Sequence, residues 1–161
     1  MPGRLRERMA DERSPPARLH PAKPVVGSRQ YHFSMPTIIG LGLDATEIDR
    51  IAATMKRYGD RFLRRIFTSG EIAYCTRRRV PAIHFAGRFA AKEAAMKALG
   101  TGHSRGVLWR DIEVVRRGGP PQLQFHGGAE RRLAAIGGRS SLLTITHSRD
   151  LALAHVLIVG D

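Results

Sequence analysis

The sequence predicts an α+β fold in which helices pack on an antiparallel sheet. The first observation is a long helical segment that starts at Pro81 and ends near Gly100, as expected for proline in a first helical turn. The second is a set of strand-like apolar runs near both ends of the chain. The third is a tight turn at residues 148–150, which joins the last two of these runs as a hairpin. No internal repeat is found.

The other elements follow from local signals taken in chain order. Thr68-Ser-Gly-Glu71 has the spacing of a capping box and opens a helix. A Gly-Gly-Pro-Pro turn separates the two strands in the second half of the chain, and Gly137-Gly138 stops the helix after them. The predicted strands cover residues 37–43, 107–116, 122–126, 141–146 and 151–159. The predicted helices cover residues 47–58, 61–67, 68–78, 81–100 and 129–136.

The first 34 residues differ from the rest of the chain. They are rich in arginine and proline and carry no apolar period, so we expect a disordered basic extension at 1–34 and one folded domain at 35–161. The extension lacks the apolar core of a secretory signal, although its arginine content is superficially similar to that of a transit peptide.

Composition limits the classes of protein to consider. A hydrophobic fraction of 42% is enough for a core, and the single cysteine suits the reducing cytoplasm. No run approaches the roughly 18 apolar residues of a membrane span. The net charge of +13 favours an acidic partner, but charge alone does not choose between nucleic acid, membrane and protein. Because the ten aromatic residues are scattered, we expect no nucleic-acid partner. Because no apolar run is long enough for a span, we also expect no membrane partner.

The segment 85–102 is an unusual helix because alanines and a phenylalanine stripe cover most of its surface. Such a helix is usually buried, so its charged residues, Arg88, Lys92, Glu93 and Lys97, need partners. In one interpretation Glu93 and Lys97 are only an i,i+4 surface pair. In the other, Glu93 binds a cation and the three basic groups face phosphates beside a Gly-Thr-Gly loop.

A second acidic position follows the apolar run that starts at Ile38. Asp44 at a strand end is often a helix cap, since its side chain accepts from free N–H groups of the next turn. Together with Glu93 it also suits a Mg²⁺ held by few protein ligands and completed by substrate phosphates and water. Both interpretations remain open on the residues alone.

Five ordered motifs identify a family. They are Ile39-Gly-Leu-Gly-Leu-Asp44 with Glu47, Ile48 and Arg50; Arg65-Ile-Phe-Thr68 with Glu71; Phe89-Ala-Ala-Lys-Glu-Ala94 with Lys97-Ala-Leu-Gly-Thr-Gly102; Trp109-Arg-Asp-Ile-Glu-Val114; and Leu143-Thr-Ile-Thr-His-Ser148. In this order the sequence resembles the bacterial holo-[acyl-carrier-protein] synthases, which are short, single-repeat 4'-phosphopantetheinyl transferases. The resemblance runs from Thr37 to Ile158.

The resemblance implies a transferase with the family fold, acting in fatty acid biosynthesis. It would move phosphopantetheine from coenzyme A to a serine of apo-acyl carrier protein and release adenosine 3',5'-bisphosphate. Asp44 and Glu93 would bind Mg²⁺, and Lys97 would stabilise or protonate the departing phosphate. Residues near the bound nucleotide would be Arg88, Lys92, Thr101, Gly102 and His147. The base that accepts the serine proton stays open between a metal-bound water, a carboxylate and His147.

Alternatives are open for the role of His147 and for the function of the chain. A lone histidine in a tight turn is usually structural, whereas the Leu-Thr-Ile-Thr-His match favours a place in the coenzyme A site. A transferase with broader use of polyketide or peptide carrier domains is the alternative enzyme. A non-catalytic carrier-protein binder would need none of Asp44, Glu93 and Lys97, and a small basic RNA-binding domain is the other rival.

The resemblance also implies partners. Single-repeat members complete their active sites between the subunits of a homotrimer, and acidic carrier proteins dock on the first helix. Arg50 and Arg57 are seven residues apart, so they share a helix face and are the expected docking residues, although Asp60 interrupts the basic series. Family members begin just before the first strand, so we expect translation to start at Met35.

Overall fold

The computed structural model describes residues 35–161, and the expectations for residues 1–34 lie outside this part of the chain. Within residues 35–161, five strands and four helices are formed. In chain order they are β1 (Thr37–Glu47), α1 (Ile48–Ile66), α2 (Ser69–Thr76), α3 (Pro81–Ala98), β2 (Ile112–Val115), β3 (Gln122–Phe125), α4 (Gly127–Ala135), β4 (Gly138–His147) and β5 (Leu151–Gly160), with a short 3-10 turn at Trp109–Asp111. The α+β class is confirmed.

The strands form two antiparallel sheets rather than the single sheet expected. The larger sheet has the order β1-β5-β4, so the last strand lies in its centre. Strands β2 and β3 form a separate two-stranded sheet. The expected strand 107–116 is also shorter, because the 3-10 turn at Trp109–Asp111 takes up the chain before Ile112.

The first strand is longer than predicted, and the helical segment after it is broken where the sequence predicts a break. Cross-strand pairing with β5 carries β1 through Asp44, opposite Ala154, to Glu47, opposite Leu151. Asp44 therefore lies within the strand and does not cap α1, which begins at Ile48. The segment α1 is interrupted at Gly59, whose φ of +49° and ψ of −134° are not helical, so the two predicted helical pieces, 47–58 and 61–67, are present on either side of a kink.

Helix α3 packs directly on β1 because both surfaces are made of small residues. A Cβ on Gly42 would lie 1.8 Å from the carbonyl oxygen of Ala94, and one on Gly40 would lie 2.3 Å from that of Ala98. Eleven of the 18 residues of α3 are buried, which confirms the expectation from its alanine-rich surface. The close contact sets residues of β1 beside the last turns of α3.

The predicted capping box is present at the start of α2. Thr68 Oγ1 accepts from Glu71 N at 3.2 Å, and Glu71 Oε2 accepts from Thr68 N at 2.9 Å. Cys75 at the end of this helix is completely buried in the core formed with α1 and α3. Burial raises the pKa of its thiol to about 11 and outweighs the nearby arginines, so Cys75 is a core residue.

No helix within residues 35–161 is both long and apolar enough to span a membrane.

Candidate functional site

Asp44 and Lys97 meet where β1 crosses the C-terminal half of α3. Lys97 Nζ lies 2.8 Å from Asp44 Oδ1 and also donates to the carbonyl oxygen of Leu43 at 2.9 Å. The other carboxylate oxygen, Oδ2, accepts from the hydroxyl of Thr46 at 3.0 Å. Asp44 is mostly buried, whereas half of the Lys97 side chain is exposed. The carboxylate is therefore fixed, while the ammonium can reach a ligand.

Glu93 lies one helical turn before Lys97 and faces the same cavity as Asp44. Burial raises the pKa of its carboxyl and the negative charge of Asp44 adds to this, against the opposing effects of Lys97, His103 and Arg50. A carboxyl group whose charged form is disfavoured by a neighbouring carboxylate is suited to a cation shared by the two. Asp44 and Glu93 come together as predicted, and their role as metal ligands stays a prediction.

The cavity that contains these carboxylates measures about 510 Å³. Arg50 on α1 also lies in its wall, so this predicted docking residue is next to the acidic pair. Arg57 is exposed on the same helix, with its guanidinium 5.1 Å from the centroid of the Tyr58 ring. The lining residues are Asp44, Ala45, Arg50, Ile51, Thr54, Phe62, Phe89, Glu93 and Lys97.

Two more predicted residues, Arg88 and His147, line a different cavity of about 280 Å³. Arg88 is 6% exposed, its guanidinium lies 4.0 Å from the centroid of the Tyr74 ring, and its buried Nε has no hydrogen-bond partner among the described residues. His147 stands at the end of β4, and Arg116 completes the basic lining. An anionic ligand would suit this cavity.

Neighbouring groups in this second cavity respond to its positive charge. Burial raises the pKa of Tyr74, but a hydrogen bond with Arg116 and the charges of Arg78 and Arg88 outweigh it, so the pKa falls below its usual value. Burial lowers the pKa of His84, and the charges of Arg78 and Arg88 lower it further.

Lys92 differs from the expectation that it faces a bound phosphate. The side chain is completely buried, and Nζ lies 2.8 Å from Glu71 Oε2. The ammonium also donates to the carbonyl oxygens of Trp109 and Ile112. Burial lowers its pKa, and Glu71 opposes this effect. All three N–H donors are used internally, so we correct the prediction: Lys92 holds α3 to α2 and β2.

The Thr101-Gly102 loop also differs in part. Thr101 is 6% exposed, and its hydroxyl donates to the carbonyl oxygen of Met96 at 3.4 Å. The side chain therefore faces the interior rather than a nucleotide. Gly102 is exposed with a φ of +53°, and its N–H donates to the same carbonyl oxygen at 3.4 Å. The loop is a helix terminus, and neither residue lines either of the two cavities.

Sequence reasoning missed Thr46 and Arg116. Thr46 is completely buried and contacts Asp44. Alternation along a strand puts residues 44 and 46 on one face. A predicted β1 that reached Thr46 would therefore have put this residue beside Asp44. Arg116 carried no comparable signal, because its place beside Arg88 depends on the docking of the small sheet.

No group of three or more histidine, cysteine, aspartate or glutamate side chains within residues 35–161 could hold a metal ion. A metal at Asp44 and Glu93 would thus have two protein carboxylates and would need further oxygen ligands from water or substrate. Mg²⁺ is commonly bound in this way, by one or two carboxylates plus substrate phosphates.

Comparisons with known proteins agree in both sequence and structure. Residues 40–154 match the sequence profile of the 4'-phosphopantetheinyl transferase superfamily. A holo-[acyl-carrier-protein] synthase of Solibacter usitatus (strain Ellin6076) is 48% identical over 122 residues, which cover 75% of this chain and 98% of that protein. The crystal structure of the same enzyme from Neisseria meningitidis has a TM-score of 0.70 at 32% identity, covering 76% of this chain and 98% of that chain. The enzyme from Bacillus anthracis str. Ames, solved in complex with CoA (3',5'-ADP), has a TM-score of 0.63 at 32% identity, covering 77% and 98%.

Proposed function

This chain belongs to the 4'-phosphopantetheinyl transferase superfamily, and from that premise we propose that it transfers 4'-phosphopantetheine from coenzyme A to a serine hydroxyl of apo-acyl carrier protein. Relatives of this activity cover the domain almost completely, and one of them is solved with CoA. The observation that carries the proposal is the meeting of Asp44, Glu93 and Lys97 in one cavity.

The same three residues suit Mg²⁺-dependent transfer. Asp44 and Glu93 would hold the ion, and the raised pKa of Glu93 reflects burial and a repulsion that a cation would relieve. When bound, Mg²⁺ would neutralise part of the charge on the pyrophosphate of coenzyme A. Because the described residues offer only these two carboxylates here, pyrophosphate oxygens and water would complete its coordination.

Lys97 would stabilise the leaving group. In the reaction the serine oxygen attacks the β-phosphorus, a P–O bond to adenosine 3',5'-bisphosphate breaks, and the serine proton passes to a base. The ammonium of Lys97 is half exposed beside Asp44, so it can contact the phosphate oxygen on which negative charge develops. The candidates for this base are a metal-bound water, a carboxylate and His147.

Arg88 and His147 would bind the nucleotide part of coenzyme A. Their cavity is basic, and the buried Nε of Arg88 has no partner among the described residues. These two residues line a different cavity from Asp44 and Glu93. A complete site would therefore combine the acidic cavity of one copy with the basic cavity of another, as in a homotrimer.

The open face of the larger sheet supports association between copies. Side chains that point away from α3 form an almost uncharged layer over β1, β5 and β4, although the chain carries a net charge of +13. Leu41, Leu43 and Leu142 are each about 60% exposed on this face. Cross-strand pairing puts Leu41 and Leu142 on either side of Leu157 in the central strand. Association through such a surface buries apolar side chains and brings few like charges together.

Carrier-protein docking is proposed on α1. Arg50 and Arg57 are exposed on this helix, and Arg50 also lines the cavity of the acidic pair. An acidic carrier bound here would bring its serine to that cavity, and binding would weaken as salt screens the arginines.

The activity is tested by the intact mass of an apo-acyl carrier protein after incubation with this protein, coenzyme A and Mg²⁺. We expect a gain of one phosphopantetheine that is lost with EDTA, and little gain with Asp44→Ala or Glu93→Ala. Lys97→Ala should lower turnover more than coenzyme A affinity. A folded wild-type protein that leaves several apo carriers unmodified would overturn the proposal.

Assembly of the site between copies is tested by mixing two inactive variants, Asp44→Ala and His147→Ala, through co-expression with different tags. In each mixed trimer about one site in three should pair an intact acidic cavity with an intact basic one. Activity should reappear in purified mixed oligomers and be absent from either variant alone. Mixed oligomers without activity would show that each site lies within one subunit.

A further inference from the structure

Thr46 makes a specific contact with the proposed metal ligand Asp44. Its hydroxyl donates to Asp44 Oδ2 at 3.0 Å, while Lys97 occupies Oδ1 at 2.8 Å. The two residues are i and i+2 in β1 and point to the same face of the sheet, toward α3. Each oxygen of the carboxylate therefore has one donor from the protein.

The Thr46 side chain is held rigidly for this contact. It is completely buried, and its cross-strand neighbour Ala152 is completely buried too. As a β-branched residue in a strand, threonine has a restricted χ1 angle. The Thr46 hydroxyl donates to the carboxylate of Asp44 and therefore orients this side chain.

The two donors to Asp44 differ in what they can do during a reaction. Lys97 has a long, half-exposed side chain, and the proposed function moves its ammonium toward the leaving phosphate. Thr46 is buried and cannot follow. Once Lys97 engages substrate, the Thr46 hydroxyl is the side-chain donor that keeps Asp44 in place.

We propose that Thr46 is a positioning residue that orients the Asp44 carboxylate for a divalent cation. The inference rests on the proposed function, because it takes Asp44 as a metal ligand. Groups that hydrogen-bond to a metal ligand typically change metal affinity about 10- to 100-fold when they are removed. Thr46→Val keeps the shape of the side chain and removes only the donor, whereas Thr46→Ser keeps the hydroxyl.

The test measures cation binding directly, with Mn²⁺ as a paramagnetic substitute for Mg²⁺. Free Mn²⁺ is followed by electron paramagnetic resonance in the presence of coenzyme A and without carrier protein. We expect Thr46→Val to bind Mn²⁺ about tenfold more weakly than wild type, and Thr46→Ser to bind close to wild type. In the transfer assay, Thr46→Val should need about tenfold more Mg²⁺ for half-maximal rate but approach the wild-type rate at saturation.

Thr76→Val is the matched control, since the hydroxyl of Thr76, at the exposed end of α2, donates to the carbonyl oxygen of Ile72. A merely structural role for Thr46 would lower the urea midpoint of Thr46→Val without changing the metal requirement, and that result would overturn the inference. Absence of Mn²⁺ binding by wild type would also overturn it. Failure of wild type to modify any carrier would instead reject the proposed function, while the Mn²⁺ titration still ranks the variants.

Discussion

Lys92 and Glu71 form a completely buried ion pair, with 2.8 Å between Nζ and Oε2. Glu71 also accepts from the N–H groups of Thr68 and Val114, and the ammonium of Lys92 donates to two backbone carbonyls. One pair thus joins α2, α3 and β2 in the middle of a basic protein. Its charges are satisfied internally, so it acts on the structure rather than on a ligand.

Removing one partner should destabilise the fold strongly. In Lys92→Met the carboxylate of Glu71 stays buried without its counter-charge, and we expect a loss of roughly 3–5 kcal/mol in the free energy of unfolding. Urea denaturation measures this loss. Arg64→Met is the control, because the Arg64–Asp60 pair is more than three-quarters exposed and should contribute about 1 kcal/mol or less. Equal effects of the two substitutions would contradict the assignment.

Gly42→Ala should separate the two elements that bear Asp44 and Lys97. The added Cβ would lie 1.8 Å from the carbonyl oxygen of Ala94, a backbone atom that cannot rotate away. Overpacking of this kind costs about 1–3 kcal/mol or more, and turnover should fall further because Asp44 and Lys97 move apart. Gly119→Ala has no atom within 4 Å of its Cβ and serves as control. Thermal unfolding and the transfer assay check both effects, and wild-type behaviour of Gly42→Ala would refute the packing argument.

The sequence predicted most of this arrangement where local signals decide. Pro81, the alanines and the Thr68–Glu71 spacing are local, and the elements they predict are present. The predicted end of β1 was wrong, because the pairing of Glu47 with Leu151 depends on a strand that is distant in sequence.

The orientation of Lys92 differs from the prediction for a similar reason. Helical spacing predicts that Lys92 is buried with Arg88, but not whether its partner is a phosphate or the Glu71 of another helix. Asp44, Glu93 and Lys97 came from motif order, and their meeting depends on the glycine contact between β1 and α3.

Leu142→Lys should disrupt association between copies. Leu142 is 60% exposed on the open face of the larger sheet, next to Leu157, and each subunit would bury an unpaired ammonium at the interface. Sedimentation velocity should show a shift from oligomer to monomer at micromolar concentration. Leu108→Lys is the matched control, since Leu108 is 62% exposed but lies outside the sheet. An unchanged oligomer in Leu142→Lys would mean that this face is not the interface.

Glu93→Gln should stabilise the protein while it abolishes transfer. The pKa of Glu93 is raised by burial and by Asp44, so the folded state binds more protons than the unfolded chain between the unfolded and folded pKa values. The contribution of Glu93 to the stability of wild type therefore falls as pH rises through this range. The destabilisation by Glu93 is absent below about pH 4.3, the ordinary glutamate pKa, and is complete at pH values above the raised pKa of the folded state. Glu93→Gln lacks the charge and should not show this fall.

The measurement is the melting temperature of both proteins from acid to neutral pH, with divalent metal chelated. The melting temperature of Glu93→Gln should exceed that of wild type only slightly near pH 4, and this difference should grow with rising pH. At neutral pH, Mg²⁺ with coenzyme A should reduce the difference in melting temperature, because these ligands stabilise wild type alone. Glu130→Gln, at an exposed site on α4, should give no such trend. A difference that stays flat or shrinks as pH rises would show that Glu93 is not held in an unfavourable charged state, and would remove this support for a cation site beside Asp44.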